Sequence, residues 1–483
     1  MKQGGENDLH TLEQRIAYDL SCLAYPSRNW IPKRHYNGKI VSNVVIVGGG
    51  QSGVALALNL RGECVNNVII IDRNPQGREG PWRAFARMHT LRTPKHVTGP
   101  DVGIPSLSVK AWWEAKYGVE SWRTMDRIPT DRWAEYLVWL RNVVGIHVQN
   151  NTEAHDIQPL EGGLLAVYTR KTNQAGYNTE NPKVLFTRNV VLATGIEGSG
   201  QWIIPDLIRK NISKGLYAHT ADAIDFTCLT GKRVAVIGAG ASAFDNAAEA
   251  LEHGATSVDL FVRRKTLPTV NPYRWMEYSG FLRHFGDLDD KNKWRFMRYL
   301  FAINQPPPQD TYLRVARYNN FSMHLGSPIE NAGHDGLFKN TLWLQTPQGR
   351  TEFDFLIVGT GFKVDLGLRP ECQRFSDMIA LWADRYQPDK EEENAMLSSF
   401  PYMSSSFQFT EKEPNIAPYL KNIFSYTYAS IPSLAASAGI SALKFGMARL
   451  VGGITRELFQ EDVDYHLNDL KSFNVKELTM IQK

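Results

Sequence analysis

Twice in this chain of 483 residues, a short apolar run breaks into closely spaced glycines and then resumes as a helix-like pattern. The first instance reads Val44-Val-Ile-Val-Gly48-Gly-Gly50-Gln-Ser-Gly53 and continues as Val54-Ala-Leu-Ala-Leu-Asn-Leu60. Few folds accommodate such a run. Gly48 permits a tight turn, Gly50 lets the backbone approach a pyrophosphate, and Gly53 lets the helix pack closely on the strand. The anion would sit at the helix N-terminus, where unpaired N–H groups and the positive end of the dipole offset its charge. A second apolar strand, Val68 to Ile71, ends in Asp72, whose carboxylate can accept hydrogen bonds from both ribose hydroxyls. Strand, loop, helix, strand and terminal acid together predict a dinucleotide seat of the FAD type.

The second instance runs from Arg233 through Ile237 into Gly238 and Gly240, with Ser242 in the turn, Ala243 at the third small position, and a helix-like stretch from Phe244 to Leu251. The strand that follows, Val258 to Val262, ends in Arg263-Arg264-Lys265 instead of an acid. A carboxylate there would repel a 2′-phosphate, whereas an arginine can pair with it through a planar, charge-assisted fork. Arg263 and Arg264 therefore predict NADPH over NADH.

Two further short strands end in Thr-Gly: Val190 to Thr194-Gly195, and Asp354 to Thr360-Gly361. Such ends are expected where a chain crosses from one dinucleotide domain to another and back. The predicted architecture is α/β, with two Rossmann-like dinucleotide-binding domains, the NADPH domain inserted into a discontinuous FAD domain. The expected spans are an N-terminal extension over 1–40, an FAD domain over 41–204 and 353–483, and an NADPH domain over 205–352. Within the last, 273–322 is aromatic-rich and reads as largely helical up to Pro306-Pro-Pro308. Lying beside a cofactor cleft, it is a candidate substrate cover, with core packing as the alternative. Gly439 to Leu450 is a further expected helix, and Leu9, Leu12, Ile16 and Leu20 lie at near-helical spacing for packing on the first domain.

A net charge of +4 without a clustered basic run argues against nucleic acid as a partner. No window offers the uninterrupted apolar run of a membrane span, so the expectation is a cytoplasmic protein. Cys22, Cys64, Cys228 and Cys372 are widely spaced and form no Cys-x-x-Cys pair or zinc-ligand pattern. A flavoenzyme that passes electrons to a disulfide needs two neighbouring cysteines, which this spacing does not supply.

These features resemble the flavoprotein monooxygenases with two dinucleotide domains, a group that includes flavin-containing monooxygenases, Baeyer–Villiger monooxygenases and microbial N-hydroxylases. The resemblance spans most of the chain. It is carried by the two glycine loops, the two Thr-Gly strand ends, Gly80-Pro-Trp82, and Lys214-Gly-Leu-Tyr-Ala-His-Thr220. In the last of these, Gly215 and His219 match the family's Phe-x-Gly-x-x-x-His linker, while Ser213 stands where the aromatic belongs. Ala223 stands where Baeyer–Villiger enzymes carry tryptophan, which favours heteroatom oxygenation, such as amine N-hydroxylation, over ketone oxidation. Arg92 or Thr93 stands where flavin-containing monooxygenases place an asparagine near the flavin.

The resemblance implies that NADPH reduces FAD, that O₂ then forms a flavin C4a-peroxide, and that one oxygen atom passes to a small molecule. It also implies cofactor contacts at Trp82, Thr194 and Gly195, and a linker role for His219 in positioning NADP⁺. Arg92, Lys95 and His219 are the candidates for the polar part of the reaction site. The competing expectations are a reductase or oxidase of the same architecture that oxygenates nothing, and a cofactor-binding sensor. Oligomeric state is not legible in the sequence.

Overall fold

The computed structural model describes residues 6–26, 28–97, 99–173, 176–177, 183–334, 341–435 and 439–478. Two separate sheets organise the chain. In the first, Ser42–Val47 lies at the centre, parallel to Val68–Ile71 on one side and to Lys183–Leu192 on the other. Every residue of Ser42–Val47 is buried, as expected of a β-branched strand covered on both faces of a parallel sheet. Leu165–Asn173 and Thr152–Pro159 extend this sheet antiparallel, and Ile423–Ser425 joins from far along the chain, parallel to Lys183–Leu192.

The second sheet is wholly parallel, in the order Tyr217–His219, Phe355–Val358, Arg233–Ile237, Ser257–Val262 and Phe321–Leu325. Its composition corrects the boundary expected at 353. The strand Phe355–Val358 hydrogen-bonds on both sides within the second sheet, so the chain leaves that sheet only at the Thr360-Gly361 end. Beyond it, Phe362–Val364 pairs antiparallel with Gly200–Trp202, so the two crossing segments bind each other as a short ribbon. A β-carbon at Gly200 would lie 2.0 Å from the carbonyl oxygen of Lys363, which explains a glycine at this point of contact.

The stretch read as a helical insertion contains the helices Pro272–Met276, Ser279–His284, Asp290–Ile303 and Gln309–Ala316, and its last residues enter the strand Phe321–Leu325. Its aromatic residues divide in two. Phe281, Phe285 and Trp294 are buried in a cluster with Trp382, Phe400 and Ile431 of the first domain's C-terminal part, while Trp275, Tyr278 and Tyr299 stay exposed. Core packing therefore accounts for the buried half. The N-terminal helix Glu6–Cys22 buries Ile16 against a tryptophan-rich cluster around Trp112 and Trp133, with Leu9, Leu12 and Leu20 packed alongside.

The expected helix near the C-terminus is Ile440–Glu461, and a fully buried cation fastens its far end. Arg188, at 0% exposure on the central strand Lys183–Leu192, pairs with Asp462 at 2.6 Å and Glu461 at 2.8 Å and donates to the carbonyl of Leu458 at 3.2 Å. The positive charge thus meets the carbonyl end of the helix dipole as well as two carboxylates. Arg34 holds the other oxygen of Asp462 at 2.6 Å. Removing one partner of a buried pair strands the remaining charge, at a cost of about 3–5 kcal/mol. Arg188→Met should accordingly lower the unfolding free energy by that order, read as a lower denaturant midpoint in an equilibrium unfolding experiment, and an unchanged midpoint would show that Arg34 alone suffices.

Candidate functional site

Backbone contact dictates the shape of both glycine loops. Gly48 has φ +112°, and a β-carbon on it would lie 2.4 Å from the carbonyl oxygen of Ala193 on the neighbouring strand end. A β-carbon on Gly53 would lie 1.9 Å from the carbonyl oxygen of Gly48, so the helix Gln51–Gly62 can start this close to its strand only with glycine there. A β-carbon on Gly50, by contrast, would meet nothing closer than the backbone of Gly80 at 3.7 Å, an ordinary contact. It sits at the N-cap of that helix, which has no side-chain cap, leaving the first-turn N–H groups available to an anion.

The second loop repeats the arrangement. Gly238 has φ +140°, and its β-carbon would lie 2.3 Å from the carbonyl oxygen of Gly359 and 3.1 Å from Cβ of Ala243. Gly240 has nothing within 4 Å of the corresponding position and caps the helix Ala241–Glu252, again without a side-chain cap. Ser242 lies exposed in the first turn of this helix.

The groups beyond each loop differ as the sequence suggests. Asp72 is buried at the end of Val68–Ile71; its Oδ2 accepts from the Gly49 N–H and its Oδ1 from the Asn74 N–H, both at 2.8 Å. Each oxygen keeps a second lone pair. Burial pushes the carboxyl above its ordinary value, and the two N–H donors pull the other way. At the end of Ser257–Val262, Arg263 is exposed and Arg264 half-buried, and neither has an ion-pair partner among the described residues.

Three of the residues singled out from the sequence carry a buried polar atom without a hydrogen-bond partner: Trp82 Nε1, Thr194 Oγ1 and His219 Nε2. An unsatisfied buried group costs about 1–3 kcal/mol, so such atoms call for a ligand or another specific explanation. Together with the uncapped helix starts at Gly50 and Gly240, they fit bound dinucleotides. His219 lies at the end of the strand Tyr217–His219, its Nδ1 accepting from the Ala221 N–H at 3.1 Å. That bond places the proton of a neutral ring on Nε2. Burial lowers the proton affinity of the ring, against opposing effects of Asp222 and the Gly361 backbone. The ring lies 5.2 Å from Trp202 on one crossing segment, and Trp202 lies 5.6 Å from Phe362 on the other. His219 therefore stands at the junction of the domains.

Arg92 and Lys95 are not drawn into one polar cluster with His219. The Lys95 ammonium donates to the carbonyls of Trp122 at 2.7 Å, Arg123 at 3.3 Å and Met125, capping the end of the helix Val119–Thr124. Three carbonyls thus hold the charge that the sequence leaves without a partner. Arg92 pairs with Asp245 at 2.8 Å, across the domain boundary.

The sequence reading missed Glu79, which lines a cleft beside Gly49, Gly50 and Trp82. Its Oε1 accepts from Arg141 at 2.6 Å and Asn150 at 2.7 Å, and its Oε2 from the Gly77 N–H at 2.8 Å. The only local signal was its position just before Gly80-Pro-Trp82. No disulfide occurs among the described residues: Cys64 and Cys372 are buried, and Cys22 and Cys228 are exposed.

Residues 45–278 match the family described as pyridine nucleotide-disulphide oxidoreductase. The fold is similar to that of the ornithine hydroxylase from Pseudomonas aeruginosa, with a TM-score of 0.65 and 16% identity over 87% of this chain and 99% of that one. It is also similar to the cadaverine monooxygenase of desferrioxamine biosynthesis from Erwinia amylovora, with a TM-score of 0.61 and 13% identity over 92% and 98% of the two chains. A protein of Xanthomonas campestris pv. campestris described as an FAD-dependent urate hydroxylase is 39% identical over 456 residues, 94% of each chain. With that identity along nearly its whole length, the chain belongs to the FAD-dependent flavoprotein monooxygenases built on two dinucleotide-binding domains.

Proposed function

We propose that the protein is an NADPH- and O₂-dependent FAD monooxygenase whose substrate is a small electron-rich ring of the urate class. The observation that carries this reading is the 39% identity to a urate hydroxylase over 94% of both chains, on a scaffold that has two open, uncapped glycine-loop helices. The ornithine hydroxylase and the cadaverine monooxygenase of similar fold are named for aliphatic amines, but at 13–16% identity they speak for the fold alone. Amine N-hydroxylation is therefore the competing outcome of the same assay.

The first-turn N–H groups after Gly50 and the carboxylate of Asp72 would hold FAD by its pyrophosphate and ribose, with Trp82, Thr194 and Gly195 beside it. The helix after Gly240, with Ser242, would take the NADPH pyrophosphate, and Arg263 and Arg264 its 2′-phosphate. When bound, the flavin supplies the redox chemistry, from acceptance of hydride to activation of O₂. The protein's part is alignment and exclusion of water. His219, whose proton affinity burial lowers, would face the nicotinamide side of the junction with its Nε2–H.

The direct experiment supplies NADPH, O₂ and urate to the purified yellow protein and measures NADPH consumed, hydrogen peroxide released and ¹⁸O incorporated from ¹⁸O₂. A monooxygenase of this class consumes one NADPH per labelled product. Peroxide equal to the NADPH consumed, with urate and with ornithine, lysine and cadaverine alike, would instead identify an oxidase. The double substitution Arg263→Ala/Arg264→Ala should raise the KM for NADPH by about ten-fold or more and leave that for NADH nearly unchanged, since only one cofactor carries the 2′-phosphate. Equal effects on both would remove the assignment. His219→Ala is expected to retain FAD but release more peroxide per NADPH; unchanged coupling would mean that the imidazole only fills space.

A further inference from the structure

On the side that carries the second glycine-loop helix, the two domains meet through charge. The apolar core of the second sheet, around Val234, Phe244 and Val258, draws on none of the residues of the first domain's main core. What joins the helix Ala241–Glu252 to the first domain is the loop segment 87–92. Arg87 donates to the carbonyls of Thr220 and Asp222, both at 2.6 Å, just beyond His219. His89 faces Glu249 at 3.7 Å and Glu252 at 3.5 Å, and Thr90 donates to Asp310 at 3.4 Å. Arg92 closes the row on Asp245. Cations and donors of segment 87–92 thus meet acids and carbonyls of the second domain, and Arg314 donates back to the Arg87 carbonyl at 2.9 Å.

Asp245 is the centre of this contact. Its side chain is 3% exposed, and its two oxygens serve different domains. Oδ2 takes the Arg92 guanidinium at 2.8 Å, while Oδ1 accepts from Thr311 at 3.0 Å and lies 3.4 Å from Arg314, both within the second domain. Arg92 Nε is buried without a partner, so this one ion pair holds its guanidinium. Asp245 also lies little more than one turn from the Gly240 N-cap, on the helix whose open end is the second dinucleotide seat. A displacement of that turn moves the seat, and a misplacement of about 1 Å between reacting groups can cost about a hundred-fold in rate.

We propose that Arg92 and Asp245 are positioning residues that pin the second dinucleotide seat against the first, so that the pair sets the rate of transfer between the seats without contacting either cofactor. Loss of Arg92 leaves Asp245 compensated by Thr311 and Arg314, so the fold of the second domain does not depend on the pin. Polar interfaces between domains permit such relative motion by default, which gives a single strong pair its leverage.

The inference rests on the second loop being the NADPH seat. It is tested on the full FAD-loaded chain with three readouts: the anaerobic rate of flavin bleaching at saturating NADPH, the Kd for NADP⁺, and hydrogen–deuterium exchange of peptides covering 85–97 and 241–252 without nicotinamide. Arg92→Met should slow bleaching about ten-fold or more, keep Kd within about two-fold, and raise exchange in those two peptides. Asp245→Asn, which keeps an acceptor for Thr311, should act in the same way, and Arg92→Lys should recover most of the rate because an ammonium still pairs with Asp245. Unchanged bleaching and exchange in Arg92→Met would overturn the proposal, as would a slowing accompanied by higher exchange throughout the chain, which is the mark of general destabilisation. A wild-type protein that NADPH does not bleach would instead remove the cofactor assignment, and the exchange of the two peptides would still decide whether the pair pins the junction.

Discussion

The rest of the structure depends on a contact made without side chains. Each glycine loop presses its first glycine against a carbonyl of the adjacent strand end, Gly48 on Ala193 and Gly238 on Gly359. Those strand ends are also where the chain passes between domains. The loop that receives an anion and the segment that crosses to the other domain are therefore one packed unit, and any β-carbon at the contact would push them apart. Function and topology share this constraint. Glycine is required there by distance as well as by backbone angle.

Around that unit the two domains are held by different kinds of force. Apolar burial organises each sheet separately and ties the helical insertion to the C-terminal part of the first domain. The side of the second domain that carries the glycine-loop helix is joined by charge, through segment 87–92. Apolar packing fills space and resists rearrangement, whereas a row of partly exposed ion pairs has directional partners and is weakened by water and salt. Apolar packing thus holds each cofactor seat, and charge joins the two seats on the side of the glycine-loop helix. Arg188 shows the contrasting use of charge: fully buried and satisfied by two carboxylates and a carbonyl, it fastens a helix inside one domain.

Much of the site was legible because its signals are local. The glycine spacing, Asp72 at a strand end, and Arg263-Arg264 in place of an acid are each readable within a few residues, and in the structure both glycine loops open uncapped helices while Asp72 sits against the first of them. The errors arose where meaning depends on a distant partner. Lys95 reads as a free cation in the sequence, but three carbonyls at the end of a helix some thirty residues away hold it. The boundary at 353 failed because Phe355–Val358 finds hydrogen-bond partners on both sides among strands more than a hundred residues earlier. Glu79 went unnoticed because a lone acid in a loop carries no pattern until Arg141 and Asn150 converge on it.

The amino-acid sequence by itself determined that there are two glycine loops of dinucleotide type, an acid beyond the first and arginines beyond the second, and four cysteines without a Cys-x-x-Cys pair. Those properties follow from residue type at short spacing, where backbone geometry leaves few alternatives. Only the tertiary structure decided that Arg92 belongs to Asp245, that His219 is buried with one nitrogen unpartnered, and that the two crossing segments pair with each other. Each of these is a contact between segments separated by many residues. The chain code specifies such contacts through the cooperative packing of whole sheets, and no short motif records them.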